Sequence, residues 1–140
     1  MIVLDTNVLS ELIRPEPSAR VVAWVDARDS SELAITALTA AELRAGVALL
    51  PDGARKRELG KRIEGLVAET FAGFVLAFDA DSSSYYAEIV AGRIRAGRPI
   101  GAFDAQIAAV CRRHDATLAT RNTADFTDTG IELVDPWAAS

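Results

Sequence analysis

Cysteine and histidine each occur once in this chain, as Cys111 and His114. A single cysteine excludes an internal disulfide and fits a reducing, cytoplasmic setting. One histidine leaves too few nitrogen and sulfur ligands for a His/Cys zinc site. His114 sits beside Arg112 and Arg113 at the end of an expected helix and reads as an exposed terminal residue. No apolar run approaches the about 18 residues that a membrane span needs. The N-terminus lacks a basic region followed by a long apolar core, so no secretory signal is expected. Positive charge is not in excess: the formal net charge is −5 and the pI about 4.9. That argues against non-specific nucleic-acid binding through global charge, and leaves room for a local basic track. No P-loop, G-x-G-x-x-G or G-x-S-x-G element is present, and Asp81-Ser82-Ser83-Ser84 reads as helix capping. Internal repeats, linkers and low-complexity segments are also missing.

What is present begins with Met1-Ile2-Val3-Leu4-Asp5-Thr6-Asn7. A short apolar run rich in branched side chains reads as a strand buried on both faces, as in a parallel sheet. Asp5 then falls at its carboxyl end, the edge where open α/β sheets bind ligands. Thr6 and Asn7 open the helix that follows. At 140 residues and 50% hydrophobic composition, the chain is read as one domain, 1–140, with a real core.

Further along, Ser18 is the expected N-cap of a helix whose apolar face carries Val21, Val22, Trp24 and Val25. Leu33-Ala34-Ile35 is the second strand. Thr39 begins a helix with Leu43, Val47 and Leu50 at i, i+4, i+7, ended by Pro51-Asp52-Gly53. Arg55 to Arg62 is the densest basic run and continues into Ile63, Leu66 and Val67. It is either a solvated helix face or a surface for phosphate or partner. Phe74 to Phe78 is the third strand, and a long helix follows, stopped at Gly97. A helix from about Ala102 carries Phe103, Ile107, Val110 and Cys111 on one face. Thr117 to Thr120 and Ile131 to Val134 are the fourth and fifth strands. Strands alternating with helices imply a mostly parallel sheet of about five short strands, covered on both faces.

Four acids stand at strand-to-helix junctions: Asp5, Glu42, Asp104 and Asp125. In a parallel sheet these junctions share one edge, so residues distant in sequence converge. Nearby carboxylates repel by about 1 kcal/mol per pair in water, and by about 4 at an effective dielectric of about 20. A cation resolves that repulsion, and carboxylate oxygens suit Mg²⁺ or Mn²⁺. Metals so held serve phosphodiester hydrolysis. Each acid also has a plainer role open to it. Thr39-x-x-Glu42 has capping-box spacing, Asp104 complements a helix dipole, and Asn122-x-x-Asp125 is a second capping pattern. Asp5 is the exception, because a carboxylate abutting a buried strand is costly without a partner.

Leu4-Asp5-Thr6-Asn7-Val8-Leu9-Ser10 resembles the opening of PIN-domain ribonucleases. Thr39-Ala40-Ala41-Glu42-Leu43-Arg44-Ala45-Gly46 and Phe103-Asp104-Ala105-Gln106-Ile107-Ala108-Ala109 resemble their later motifs. Thr120-Arg121-Asn122, then Asp125-Phe126, is similar to the fourth, and the likeness extends to Asp135-Pro136-Trp137. The order and spacing match the VapC and FitB toxins of bacterial toxin–antitoxin pairs. The resemblance implies a three-layer α/β/α PIN-like fold and a Mg²⁺- or Mn²⁺-dependent endoribonuclease. It also implies a homodimer, silenced by a cognate antitoxin at or near the acidic pocket. By position, Asp5 and Asp104 match metal ligands, and Glu42 the acid that completes the site. Thr6 or Asn7 would orient Asp5. Some relatives carry an aspartate where this chain has Asn122, so the fourth ligand is open between Asn122 and Asp125. Arg44, Arg121 and the Arg55 to Arg62 run are candidates for RNA or antitoxin contact. Two other functions fit the same residues: a non-catalytic antitoxin-binding corepressor, and a nuclease acting on DNA.

Overall fold

The computed structural model describes residues 1–138. Its strands are β1 (Ile2–Leu4), β2 (Leu33–Thr36), β3 (Val75–Leu76), β4 (Thr117–Ala119) and β5 (Leu133–Val134). Its helices are α1 (Thr6–Leu12), α2 (Ala19–Asp26), α3 (Ala37–Ala48), α4 (Ala54–Gly65), α5 (Ala80–Arg95) and α6 (Ala102–Arg113). Two single 3₁₀ turns, Ser30–Glu32 and Thr123–Phe126, precede β2 and follow β4, and a wider π-type turn, Leu66–Thr70, extends α4. The strands pair in parallel in the order β3-β2-β1-β4-β5.

Alternation along the central strands divides the core into two layers. Val3, Ala34 and Leu118 face one side, where they meet Ile89 of α5 and Ala105, Ile107 and Ala108 of α6. Leu4, Leu33, Ile35 and Ala119 face the other, packed on Val8 and Leu9 of α1, Val21 of α2, Leu43 of α3 and Ile63 of α4. Each fully buried Leu, Ile or Val contributes about 1.5–3 kcal/mol of burial. The expected three-layer α/β/α arrangement is therefore the observed one. Among the described residues no helix is long and apolar enough to cross a membrane.

Several local expectations are corrected. Thr36, not Thr39, caps α3: its Oγ1 accepts the Thr39 N–H at 3.1 Å. The helix therefore starts at Ala37, and Glu42 lies in its second turn, not its first. β3 is confined to Val75–Leu76, and Phe74 and Phe78 are each 37% exposed at its ends. β5 is only Leu133–Val134. Phe103 does not join the buried face of α6 and is 37% exposed. His114 is half-buried as the C-cap of α6, where an exposed residue was expected. Ser18 does cap α2, and Gly97, at φ +72°, lies just past α5 in the left-handed turn that glycine favours.

Strand order sets the place of the site. From β1 the sheet grows through β2 to β3, then restarts on the other side of β1 with β4 and β5. The switch point lies between β1 and β4, and ligands of open α/β sheets bind outside the carboxyl ends there. Asp5 follows β1 and Thr120 follows β4.

Candidate active site

Asp5 is 6% exposed at the end of β1. Its Oδ1 accepts the Thr6 N–H at 2.8 Å and so caps α1. Its Oδ2 accepts the Thr120 hydroxyl at 2.8 Å. The same Thr120 Oγ1 accepts from Asn7 Nδ2 at 3.2 Å and from the Asn122 N–H at 3.1 Å. A hydroxyl has one donor and two acceptor positions. All are used, so the direction of the proton toward Asp5 is determined. Arg121 N–H adds a bond to Asn7 Oδ1 at 3.3 Å, and Asp5 N–H donates to Ala119 O at 2.9 Å. The ends of β1 and β4 are thus laced by backbone and side chains together.

Thr6 and Asn7 do support Asp5, but by different routes. Thr6 acts through its backbone N–H, and Asn7 acts through Thr120. Thr120 was not among the expected site residues. Its signal in the sequence was its place in the Thr120-Arg121-Asn122 motif; it was expected inside the fourth strand, which ends at Ala119. The Thr6 hydroxyl reaches Thr39 Oγ1 at 3.2 Å, which ties the start of α1 to the helix that carries Glu42.

Asp104 lies in the first turn of α6 and is half-buried. Glu42 and Asp125 are exposed, Asp125 in the turn after β4. Glu42 and Asp125 stand close enough to Asp5 and Asp104 for their charges to act on both, and Asp5 acts on Asp104. Burial is the main cause holding the Asp5 carboxyl above its ordinary range. The Thr120 and Thr6 hydrogen bonds oppose that shift, while Glu42 and Asp125 add to it. Asp104 is also raised, first by burial and then by the charges of Asp5, Asp125 and Glu42, with Arg93 opposing. Among the described residues, no three acids, histidines or cysteines stand close enough to hold one metal ion as placed. The acids form a loose ring around the switch point, without a preformed chelate.

The capping roles open to Glu42 and Asp125 do not materialise, while Asp104 does lie in the first turn of α6, where it complements the helix dipole. The Glu42 capping box would need Thr39 as N-cap, and that position belongs to Thr36. Gly101 occupies the N-cap of α6, and Asn122 makes no side-chain cap bond. Among the described residues, no hydrogen bond or ion pair engages the carboxylates of Glu42, Asp104 or Asp125.

The expected basic contacts are more committed. Arg44 makes a two-pronged pair with Glu64 at 2.8 and 3.0 Å. The Arg121 guanidinium lies 5.0 Å over the Trp137 ring. A groove of about 580 Å³ between α3 and α4 is lined by Arg44, Val47, Lys56, Gly60 and Lys61. None of the four acids lines it.

The family model for the PIN domain matches residues 2–132. The chain belongs to the PIN-domain family. This PIN domain is 44% identical over 137 residues to VapC ribonuclease Y4jK of Sinorhizobium fredii, covering 98% of each protein. It is 43% identical to Toxin FitB of Neisseria gonorrhoeae, covering 98% of this chain and 99% of the relative. The solved structure of FitAB bound to an IR36 DNA fragment has a chain similar to it with a TM-score of 0.94 and 41% identity. That likeness covers 100% of this chain and 98% of the other. The PIN match stops at Glu132, so Trp137, which packs under Arg121, lies outside it.

Proposed function

We propose that this chain is a Mg²⁺- or Mn²⁺-dependent endoribonuclease and the toxin half of a toxin–antitoxin pair. The observation that carries the reading is the ring of four carboxylates at the β1/β4 switch point, three of them free of any capping bond. Full-length similarity to a VapC ribonuclease and to Toxin FitB supports RNA as substrate and toxicity as role. Similarity to the FitAB assembly supports a bound protein partner, the cognate antitoxin. We also read the chain as a homodimer.

The residues suit a hard divalent ion. Their donors are all oxygens, and the charges of Glu42 and Asp125 raise the carboxyls of both Asp5 and Asp104. Asp5 and Asp104 would hold the ion, with Glu42 beside them and Asn122 or Asp125 as the fourth contributor. Each Asp5 oxygen accepts one protein hydrogen bond. A carboxylate offers about four acceptor sites, so capacity remains. The looseness of the ring fits an ion that keeps several of its waters. When bound, such an ion supplies Lewis-acid charge to an attacking water and to the leaving oxygen of the phosphodiester.

The chain itself performs positioning. Thr120 and the Thr6 N–H hold Asp5 in one rotation, and the Asn7 amide keeps the Thr120 hydroxyl aimed. The helix start of α6 brings Asp104 to the same edge. Exposed Glu42 and Asp125 leave the rim open to a strand of RNA. The test is digestion of single-stranded RNA, structured RNA and DNA side by side, with Mg²⁺, with Mn²⁺ and with chelator. Metal-dependent cleavage of RNA is expected. Preferential cutting of DNA, or no cutting under any condition, overturns the reading.

A further inference from the structure

Arg93 is an arginine buried almost completely, 5% exposed, near the end of α5. It has no carboxylate among its hydrogen-bond partners. Its Nη1 donates to two backbone carbonyls, Asp125 O and Thr127 O, each at 2.9 Å. Its Nε donates to Arg98 O, and the Arg98 N–H returns a bond to Arg93 O at 2.9 Å. Three segments therefore meet on one guanidinium. They are α5, the turn leading to α6 and Asp104, and the turn carrying Asp125.

Burying a cation against neutral carbonyls alone is costly. A neutral glutamine would bond backbone carbonyls at lower desolvation cost. A guanidinium is useful here because its fork reaches carbonyls of separate segments at once. The guanidinium fork is also rigid, which suits holding two carbonyls at a defined separation. Nothing about Arg93 stood out in the sequence, where it lies within Gly92-Arg93-Ile94-Arg95 on a helix.

We propose that Arg93 is a positioning residue for the metal site: it clamps the Asp125 turn and the approach to Asp104. The proposal rests on the metal-dependent nuclease reading above. Outer-shell supports of this kind typically change metal affinity by about 10–100-fold.

The experiment compares wild type, Arg93→Lys and Arg93→Gln. Bound Mn²⁺ is titrated by electron paramagnetic resonance, cleavage is titrated against metal, and amide exchange of residues 123–127 is followed without metal. Arg93→Lys keeps the charge and loses the fork. It should weaken Mn²⁺ binding by about tenfold, exchange faster in that turn, and regain near-wild-type cleavage at saturating metal. Arg93→Gln should weaken binding further. A folded Arg93→Lys with wild-type exchange in residues 123–127 overturns the clamp. Faster exchange with unchanged Mn²⁺ affinity overturns the positioning role. If both variants fail to fold, wild type decides: the Asp125 amide should exchange more slowly than that of Glu32, whose comparable i→i+3 bond lies in a 3₁₀ turn held only by its own Asp29 cap. Equal exchange overturns the proposal. Wild type that neither binds Mn²⁺ nor cuts RNA sinks the nuclease reading itself, which the wild-type arm reveals separately.

Discussion

Two regions concentrate charge, and they do it in opposite ways. On α4, basic residues crowd together in sequence and stand side by side on a face open to water. Arg55, Arg57, Lys61 and Arg62 are exposed, Lys56 bonds Ala48 O and Asp52, and Arg62 bonds Ile13 O. Arg44 of α3 reaches across to Glu64. Such exposed pairs contribute little, because solvent screens them and ordering long side chains costs entropy. At the β1/β4 edge the order is reversed. Asp5, Glu42, Asp104 and Asp125 are far apart in sequence and converge through sheet topology. Two are partly or fully buried, and the charges of Glu42 and Asp125 raise the cost of ionising both. Unrelieved electrostatic cost marks a site more reliably than local charge density does.

The largest expected effect breaks the acidic side of that comparison. Asp5→Asn should lower metal-dependent cleavage by more than the about 10–100-fold typical of outer-shell changes. The metal-free protein should remain folded. Asparagine can still accept the Thr6 N–H, but its amide then faces a Thr120 hydroxyl that must turn its proton elsewhere. The sign of the pH dependence follows from the raised carboxyls. A folded acid that holds its proton more tightly than the unfolded one favours folding fully below its unfolded pKa. That stability is lost as pH rises through the folded pKa. Asp5 and Asp104 are both raised above 3.8. Without metal, the melting temperature of wild type relative to Asp5→Asn should therefore fall as pH climbs above about 4. Added Mn²⁺ should reverse the trend in wild type alone. An Asp5→Asn protein that cuts RNA at the wild-type rate removes Asp5 from the site.

Next in size is Thr120→Val. The change keeps shape and removes one oxygen that serves Asp5, Asn7 and the Asn122 N–H. Leaving buried groups unpaired costs about 1–3 kcal/mol. Chemical denaturation should read a loss of that order, and the metal needed for half-maximal cleavage should rise about tenfold. Thr120→Ser should restore both. If Val and Ser variants behave alike, the hydroxyl is not what orients Asp5.

These two residues also show what was legible in the sequence. Asp5 was readable because its signal is local: an apolar strand runs straight into a carboxylate. The parallel three-layer fold was readable for the same reason, since strand and helix patterns alternate along the chain. Glu42 was placed one turn early because Thr36 and Thr39 are three residues apart and either can cap a helix. Only the end of β2 selects Thr36. The role of Thr120, which stands in the fourth motif, was not readable, and neither was Arg93, because both depend on neighbours set by strand order. Thr120 matters because β4 lies beside β1, and Arg93 because α5 abuts the turn after β4. Phe103 shows the converse: it fits the apolar pattern of α6, yet the helix start leaves it half in solvent.

A smaller effect is expected at the fourth position. Asn122 and Asp125 share the turn after β4, and neither side chain caps it. Asp125 acts on the charge of both Asp5 and Asp104. Asn122→Asp should lower the Mg²⁺ concentration for half-maximal cleavage, and Asp125→Asn should raise it, with less change at saturating metal. A titration curve unmoved by Asp125→Asn would leave the site to Asp5, Glu42 and Asp104, with at most help from Asn122.

The smallest effect should come from the basic side. Replacing Arg55, Lys56 and Arg57 together by alanine removes three positive charges from an exposed helix face. Stability should change little, because surface substitutions away from caps and cores usually stay within about 0.5 kcal/mol. The loss of the Lys56 bonds to Ala48 O and Asp52 is the one local cost. Cleavage of a short RNA should be near wild type, since none of the three residues lies at the carboxylate ring. If the face contacts phosphates, the variant should bind long RNA more weakly and with a shallower salt dependence, because fewer counterions are released. If it contacts the antitoxin, the salt dependence of that complex should change while RNA binding does not. Should both affinities and both salt slopes stay at wild-type values, α4 is a solvated face. The contrast between the two regions would then be complete: one holds charge that water screens, and the other holds charge that the sheet gathers at partly buried positions.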